Sequence, residues 1–450
     1  MTMKGPLWRI DAAGAADAAG CSFAPASLLF EHREPSRPWE GSIVAVGHPA
    51  EISTVEIPAS RRLTFPASVI LPALANAHTH LDLTHIGPRP YEALSGFVGW
   101  AMSTVRANRA QTLEAARASL RAGIDLSLAG GVVAVGDILG ALPGYRPTPN
   151  EPDPRALLAA DLRATFGDLA VPFAEVFGMG ANQPRAIEEL NRLAAAGCAL
   201  QPHAPYTAGR RVYAHAARLA PSTRAPFCTH LAETLDERRF TQHGDGAFRD
   251  LLERIGVWDD HAAAEVGRGL HPIEHVLDAL GPQRHPFLAA HVNDCPDSLL
   301  ERVAAARICV AYCPRAHEYF LHPATTGPHS YRRMLDAGIN VCLGTDSIIN
   351  LPPDQSDRLS TLDEMRLLFH RDATPAGTLL AMGTTHSARA LGLSESLFTL
   401  ALGPTAGLIA VDVTGTMQSA APLDRAMHSR ATPHLLRWDT PEFAFAGGAR

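Results

Sequence analysis

Short apolar, β-branched runs recur along the chain at residues 74–78, 132–138, 171–178, 199–203, 226–230, 287–291, 307–313 and 340–345. Between them lie stretches of helical periodicity, among them 184–197, 208–220, 297–306 and 331–337. Strands that alternate with helices predict a parallel sheet, because parallel neighbours need a long crossover. Eight such units in succession predict an α/β fold of the closed (β/α)8 TIM-barrel type over residues 69–392. The flanks have a different texture. Residues 42–46, 55–58 and 407–413, punctuated by Gly and Pro, read as short antiparallel strands. They predict a small composite β-sandwich domain built from residues 1–68 and 393–450. Three connections are long: 140–155, a proline-rich loop expected over the barrel mouth; 233–286, long enough for an extra helix or lid; and 344–360.

Chemistry-bearing side chains gather where such a barrel keeps its active site, at the C-terminal ends of the strands. Strand one runs into His78-Thr79-His80, strand four ends at His203 and strand five at His230, with Glu233 three residues on. Strand six ends at His291, strand seven runs into Cys313-Pro-Arg315-Ala-His317, and strand eight is followed by Asp346. Alternate residues of an extended chain point the same way, so His78 and His80 can reach one ion. His78, His80, His230 and Asp346 then offer three imidazole nitrogens and a carboxylate, a set suited to one divalent metal ion, with zinc preferred and iron the alternative. A metal acidifies water toward a pKa of about 7. Asp346 can take a proton from that water, His291 can aim it, and Glu233 can shuttle protons. His203, Arg315 and His317 are the expected substrate contacts, with a surface or lid position the alternative for His317. Asp82, Asp137 and Glu175 near strand ends read instead as capping or ion-pair residues.

Composition narrows the field. The net charge of −7 gives no reason to expect nucleic-acid binding, and 46% hydrophobic with 19% charged residues describes a chain with ample core. No apolar run is long enough for a membrane span. Lys4 is the single lysine, which argues against a Schiff base, a carbamylated-lysine metal bridge or a phosphate-loop lysine. The seven cysteines include no Cys-x-x-Cys pair and are expected as reduced thiols. Asp11 and Asp17 interrupt any apolar leader, so the expectation is a cytoplasmic enzyme acting on a small molecule and water, with a homodimer one of the assemblies open to it. A rival motif, His271-Pro-Ile-Glu-His275, matches a zinc-peptidase signature. Pro272 suits only the first turn of a helix, which disfavours that reading.

The stretches Leu71–Leu83 around His78 and His80, Phe173–Gly178, Pro202–Thr207, His230–Thr234, Cys313–Phe320 and Gly344–Ser347 together resemble the amidohydrolase superfamily, in its cytosine deaminase-like and chlorohydrolase-like branch. The resemblance spans roughly residues 40 to 410. It implies a mononuclear metal on His78, His80, His230 and Asp346, proton transfer by Glu233, His291 and Asp346, and substrate contact by His203. It also implies hydrolytic deamination of a cyclic amidine with release of ammonia. Residues 96–100, 105–109 and 244–248 lean toward members that act on a nucleoside-like substrate with an adenine-type base and a carboxylate. Arg315, Arg89 and Arg106 are candidate partners for such a carboxylate. The sequence departs from the branch at His317, where many members carry Asn, and at Ser347-Ile-Ile-Asn350.

Overall fold

A computed structural model describes residues 5–438, apart from 33–36, 53–55, 109–110, 143–150, 224 and 282–285. The barrel strands are β6 Leu74–Thr79, β7 Val132–Leu139, β8 Ala170–Val176, β9 Ala199–Pro202, β10 Phe227–Leu231, β11 Phe287–His291, β12 Cys309–Tyr312 and β13 Val341–Leu343. They pair in parallel in two runs, β6-β7-β8-β9 and β10-β11-β12-β13. Two seams close the ring. At one, the His230 amide donates to the His203 carbonyl at 2.9 Å. At the other, Thr79 bridges Asp346, and the Asp346 amide donates to the His78 carbonyl at 3.1 Å. Asn76 strengthens this seam: its amide nitrogen donates to Thr345 Oγ1 at 2.7 Å and its oxygen accepts the Thr345 N–H at 3.1 Å.

Every barrel strand sends a side chain into one interior cluster: Ala77, Ile138, Phe173, Ala199, Cys228, Leu288, Ala311 and Cys342. The barrel is therefore packed inside, and its polar chemistry is confined to the rim. The cysteines are unpaired.

The flanking strands are β1 Leu7–Ala16, β2 Ser22–Phe23, β3 Ala26–His32, β4 Gly41–Gly47, β5 Arg62–Pro72, β14 Gly403–Thr405, β15 Leu408–Asp412 and β16 His434–Leu435. Strands from both flanks form one hydrogen-bonded sheet ordered β14-β4-β3-β1-β5-β15-β16, with β2 on β1, where a sandwich was expected. Ile10, Leu28, Phe30, Ile43, Phe65, Ile70 and Leu408 share its core. Residues 56–58 form no strand; Pro58 precedes a short turn, Ala59–Arg61, and β5 starts at Arg62. β5 runs past residue 68 to Pro72, two residues before β6.

The long connection after β10 carries four helices, Leu235–His243, Ala247–Arg254, Asp260–Glu265 and Pro272–Leu280. His271 caps the last of these: its side chain accepts the Ile273 N–H, and Glu274 returns to the His271 N–H. Pro272 fills the first turn, so the rival motif is a capping box. Of the proline-rich 140–155 connection, residues 143–150 lie outside the described residues. Among the described residues, no helix is long and apolar enough to cross a membrane.

Candidate active site at the barrel rim

His78 lies at the end of β6 and His80 just beyond it, on alternate positions of extended chain. His230 comes from β10, across the barrel in sequence but adjacent in space. Ligand atoms of His78, His80 and His230 all lie within 4.8 Å of one another. The His230 and His80 rings stack with Nε2 atoms 3.4 Å apart. Asp346 Oδ1 faces both first-strand histidines, 3.8 Å from His78 Nε2 and 3.5 Å from His80 Nε2. The four residues expected to bind metal therefore converge.

This cluster fits a cation on two grounds. Both ring nitrogens of His78 are buried without a hydrogen-bond partner, an arrangement that costs free energy unless something takes the lone pair. Burial also holds the imidazoles neutral, as metal ligation requires: His78 and His80 fall well below 6.5, and His230 falls to about 4. His230 Nδ1 lies 3.2 Å from the His203 carbonyl; donating there frees its Nε2 lone pair for the cluster.

The residues expected to handle protons sit on the next turns. Glu233 Oε1 is 3.6 Å from His291 Nε2. Burial drives Glu233 well above 4.5, and the charges of Asp346 and Glu237 add to this, so its protonated form is favoured. Its turn is held from two sides. Glu237 accepts the Ala232 and Glu233 N–H groups at 2.8 Å each, and Asn293 donates to the Glu233 carbonyl at 3.2 Å. Burial lifts Asp346 to about 7, against the opposing bond from Asn350. Asn350 ends a short turn, Ile348–Asn350, and donates to Asp346 Oδ2 at 2.6 Å. Sequence reasoning noted this stretch only as unusual; an amide four residues after the carboxylate was its available signal.

His203 is held by Thr207 Oγ1 at 2.6 Å from Nδ1, and its Nε2 lies 3.6 Å from Glu175 Oε1. Glu175 thus pairs with His203 at the rim. Asp82 and Asp137 do cap, accepting the Gly140 and Leu81 N–H groups. His317 is buried beside His322 and His329, with both ring nitrogens unpartnered, and burial drives it to about 2. It is not a surface residue. Arg315 departs from expectation. Its guanidinium pairs with fully buried Glu364, which also accepts the Arg315 N–H at 2.9 Å. A cation so neutralised is poorly placed to take a substrate anion. Arg106 is exposed on the helix Gly96–Asn108, whereas Arg89 is half-buried near Tyr319.

Two sequence stretches meet above the cluster. Phe97 packs 6.3 Å from Phe248, and Phe248 stacks on Tyr206 at 3.7 Å between ring centroids. Trp100 and Phe320 extend this aromatic wall, and burial raises the hydroxyl pKa of both Tyr206 and Tyr91. A cavity of about 380 Å³ opens beside it, lined by Phe177, Met179, Thr207, Leu252 and Val257 among others.

A packed (β/α)8 barrel with a histidine–carboxylate rim defines a class, and residues 69–445 match the amidohydrolase family model. The chain belongs to the amidohydrolase family and is a hydrolase of carbon–nitrogen bonds other than peptide bonds. It is 31% identical to an aminodeoxyfutalosine deaminase of Deinococcus radiodurans over 68% of this chain and 70% of that one. A structure of Helicobacter pylori aminofutalosine deaminase with methylthio-coformycin superposes with TM-score 0.71 at 21% identity, covering 96% of this chain and 98% of the other. An adenosine deaminase from Xanthomonas campestris with bound zinc gives TM-score 0.69 at 18% identity, covering 97% and 93%.

Proposed function

We propose that the protein is a metal-dependent hydrolytic deaminase of an adenine-type nucleoside, with 6-amino-6-deoxyfutalosine of menaquinone biosynthesis as its substrate. The observation that carries this reading is the convergence of His78, His80, His230 and Asp346, with buried Glu233 close by against His291. Three nitrogens and one oxygen suit zinc, with iron the alternative. When bound, the divalent ion supplies Lewis acidity, which brings water toward ionisation near neutral pH.

The side chains account for the remaining proton movements. Asp346 accepts a proton from the attacking water. His291 hydrogen-bonds that water and aims it at C6 of the base. Glu233 gives its proton to ring nitrogen N1 as the C6–oxygen bond forms. Asp346 then hands its proton to the amine while Glu233 takes the proton of the hydroxyl now on C6, so the C6–nitrogen bond breaks, a C6 carbonyl forms and ammonia leaves. His203 donates a hydrogen bond to the substrate. The aromatic wall of Phe97, Tyr206 and Phe248 supplies stacking surface for a ring.

The test is ammonia release by the metal-loaded protein with 6-amino-6-deoxyfutalosine, adenosine, S-adenosylhomocysteine and guanine. The highest kcat/KM with the first supports the reading. A clear preference for another base or nucleoside replaces the substrate, and no release from any of them overturns deamination.

A further inference from the structure

The chain leaves β11 through two successive non-glycine residues in the left-handed region, His291 at φ 71° and Val292 at φ 51°. L-residues resist that region, so the surrounding structure has to hold it. The peptide between the two residues is held on both sides. The Val292 N–H donates to the Leu231 carbonyl of β10 at 3.0 Å. The His291 carbonyl faces His329 Nε2 at 2.8 Å.

A carbonyl can only accept, so this contact fixes the His329 tautomer with its proton on Nε2. His329 is itself tightly constrained. It is buried, and its ring stacks on Tyr312 with centroids 3.8 Å apart and planes 16° apart. The Tyr312 hydroxyl receives Arg371 Nη2 at 3.2 Å. The next residue, Ser330, donates to the Cys295 carbonyl at 3.2 Å. The segment that carries His329 is thus tied to the chain at the β11 exit and again four residues beyond it.

We infer that His329 is a positioning residue for His291: its Nε2–H clamps the left-handed His291–Val292 peptide and so aims the His291 imidazole at Glu233. Rotating that peptide would swing Cα–Cβ of His291 and lengthen the 3.6 Å approach of Nε2 to Glu233 Oε1. Supporting residues of this kind typically change activity by about 10–100-fold. The inference rests on the proposed deamination only in taking His291 to act there.

The test compares His329→Phe, which keeps the stack on Tyr312 but has no N–H, with His329→Gln, which keeps a donor of similar reach. The expected result for His329→Phe is an unchanged metal content and KM with kcat lowered about 10–100-fold, largely recovered in His329→Gln. In a His291→Ala background, His329→Phe should add no further loss, because both changes remove one function. Wild-type kcat in His329→Phe, equal impairment in His329→Gln, or a full second loss in the His291→Ala background would each overturn the inference. If His329→Phe does not fold, His329→Met serves as the donor-free variant. If the wild-type protein deaminates nothing, the reaction assignment fails by itself. A crystal structure of the donor-free variant then decides the clamp: a rotated 291–292 peptide supports it, and an unmoved one overturns it.

Discussion

Asn350 donates its amide to Oδ2 of Asp346 at 2.6 Å and leaves Oδ1 as the oxygen turned toward His78 and His80. The bond divides the carboxylate into a held oxygen and a working oxygen. Its loss should loosen the whole cluster. Asn350→Leu is expected to weaken metal affinity about 10–100-fold, the range for removing an outer hydrogen bond to a ligand. Competitive chelator titration with elemental analysis measures this.

Glu233 lies against His291 and outside the histidine cluster. Glu233→Gln should retain the wild-type metal stoichiometry and lose about 10²–10⁴-fold in kcat, the usual worth of a general acid–base group. A variant with wild-type turnover would remove Glu233 from the mechanism.

His80 and His230 approach through Nε2 atoms 3.4 Å apart. His80→Ala or His230→Ala should lower bound metal sharply. Chelation of the wild-type protein should lower its Tm, because a ligand held only by the folded state stabilises it by mass action. Equal melting of the chelated and loaded proteins would contradict this.

Of the three arginines considered for a substrate carboxylate, Arg315 is spent on Glu364 and Arg106 is exposed. Burial raises the Tyr319 hydroxyl pKa, while nearby Arg89 opposes the shift and Asp346 adds to it. Arg89 is thus within electrostatic reach of the rim. Arg89→Met should raise KM for 6-amino-6-deoxyfutalosine about 10-fold or more, the scale of a lost charge-assisted hydrogen bond, and leave KM for adenosine nearly unchanged. Equal effects on both substrates would place the carboxylate elsewhere.

His275, in the rejected peptidase motif, has both ring nitrogens buried and unpartnered, and burial lowers it to about 4. The unfolded chain protonates this residue near 6.5, while the folded chain resists until about 4. Its neutral burial is therefore harmless above 6.5 and destabilising as the pH falls toward 4, by at most about 1.4 kcal/mol per pH unit. His275→Leu should keep metal content and activity and lose less stability than wild type on acidification through that window. Denaturant midpoints at several pH values provide the measurement.

The barrel was legible because its signals are local. Strand-length apolar runs followed by helical periodicity follow from burial on both faces, and they fixed the β6–β13 assignment to within a few residues. The rim histidines were legible for a related reason: a residue at a strand end has only one rim to occupy. The single flanking sheet was not, since pairing among its strands, such as β5 with β15, depends on which distant edges meet.

By itself, then, the sequence determined the order of the strand–helix units and the residue types at their C-terminal ends. Tertiary structure alone decided the pairing of Arg315 with Glu364, the grip of Asn350 on Asp346 and the clamp of His329 on His291. Periodicity governs which face of an element a residue takes, and that is a property of neighbours in the chain. Which donor meets which acceptor depends on closure of the ring, which brings residues hundreds of positions apart within a hydrogen bond, as at Asn76 and Thr345.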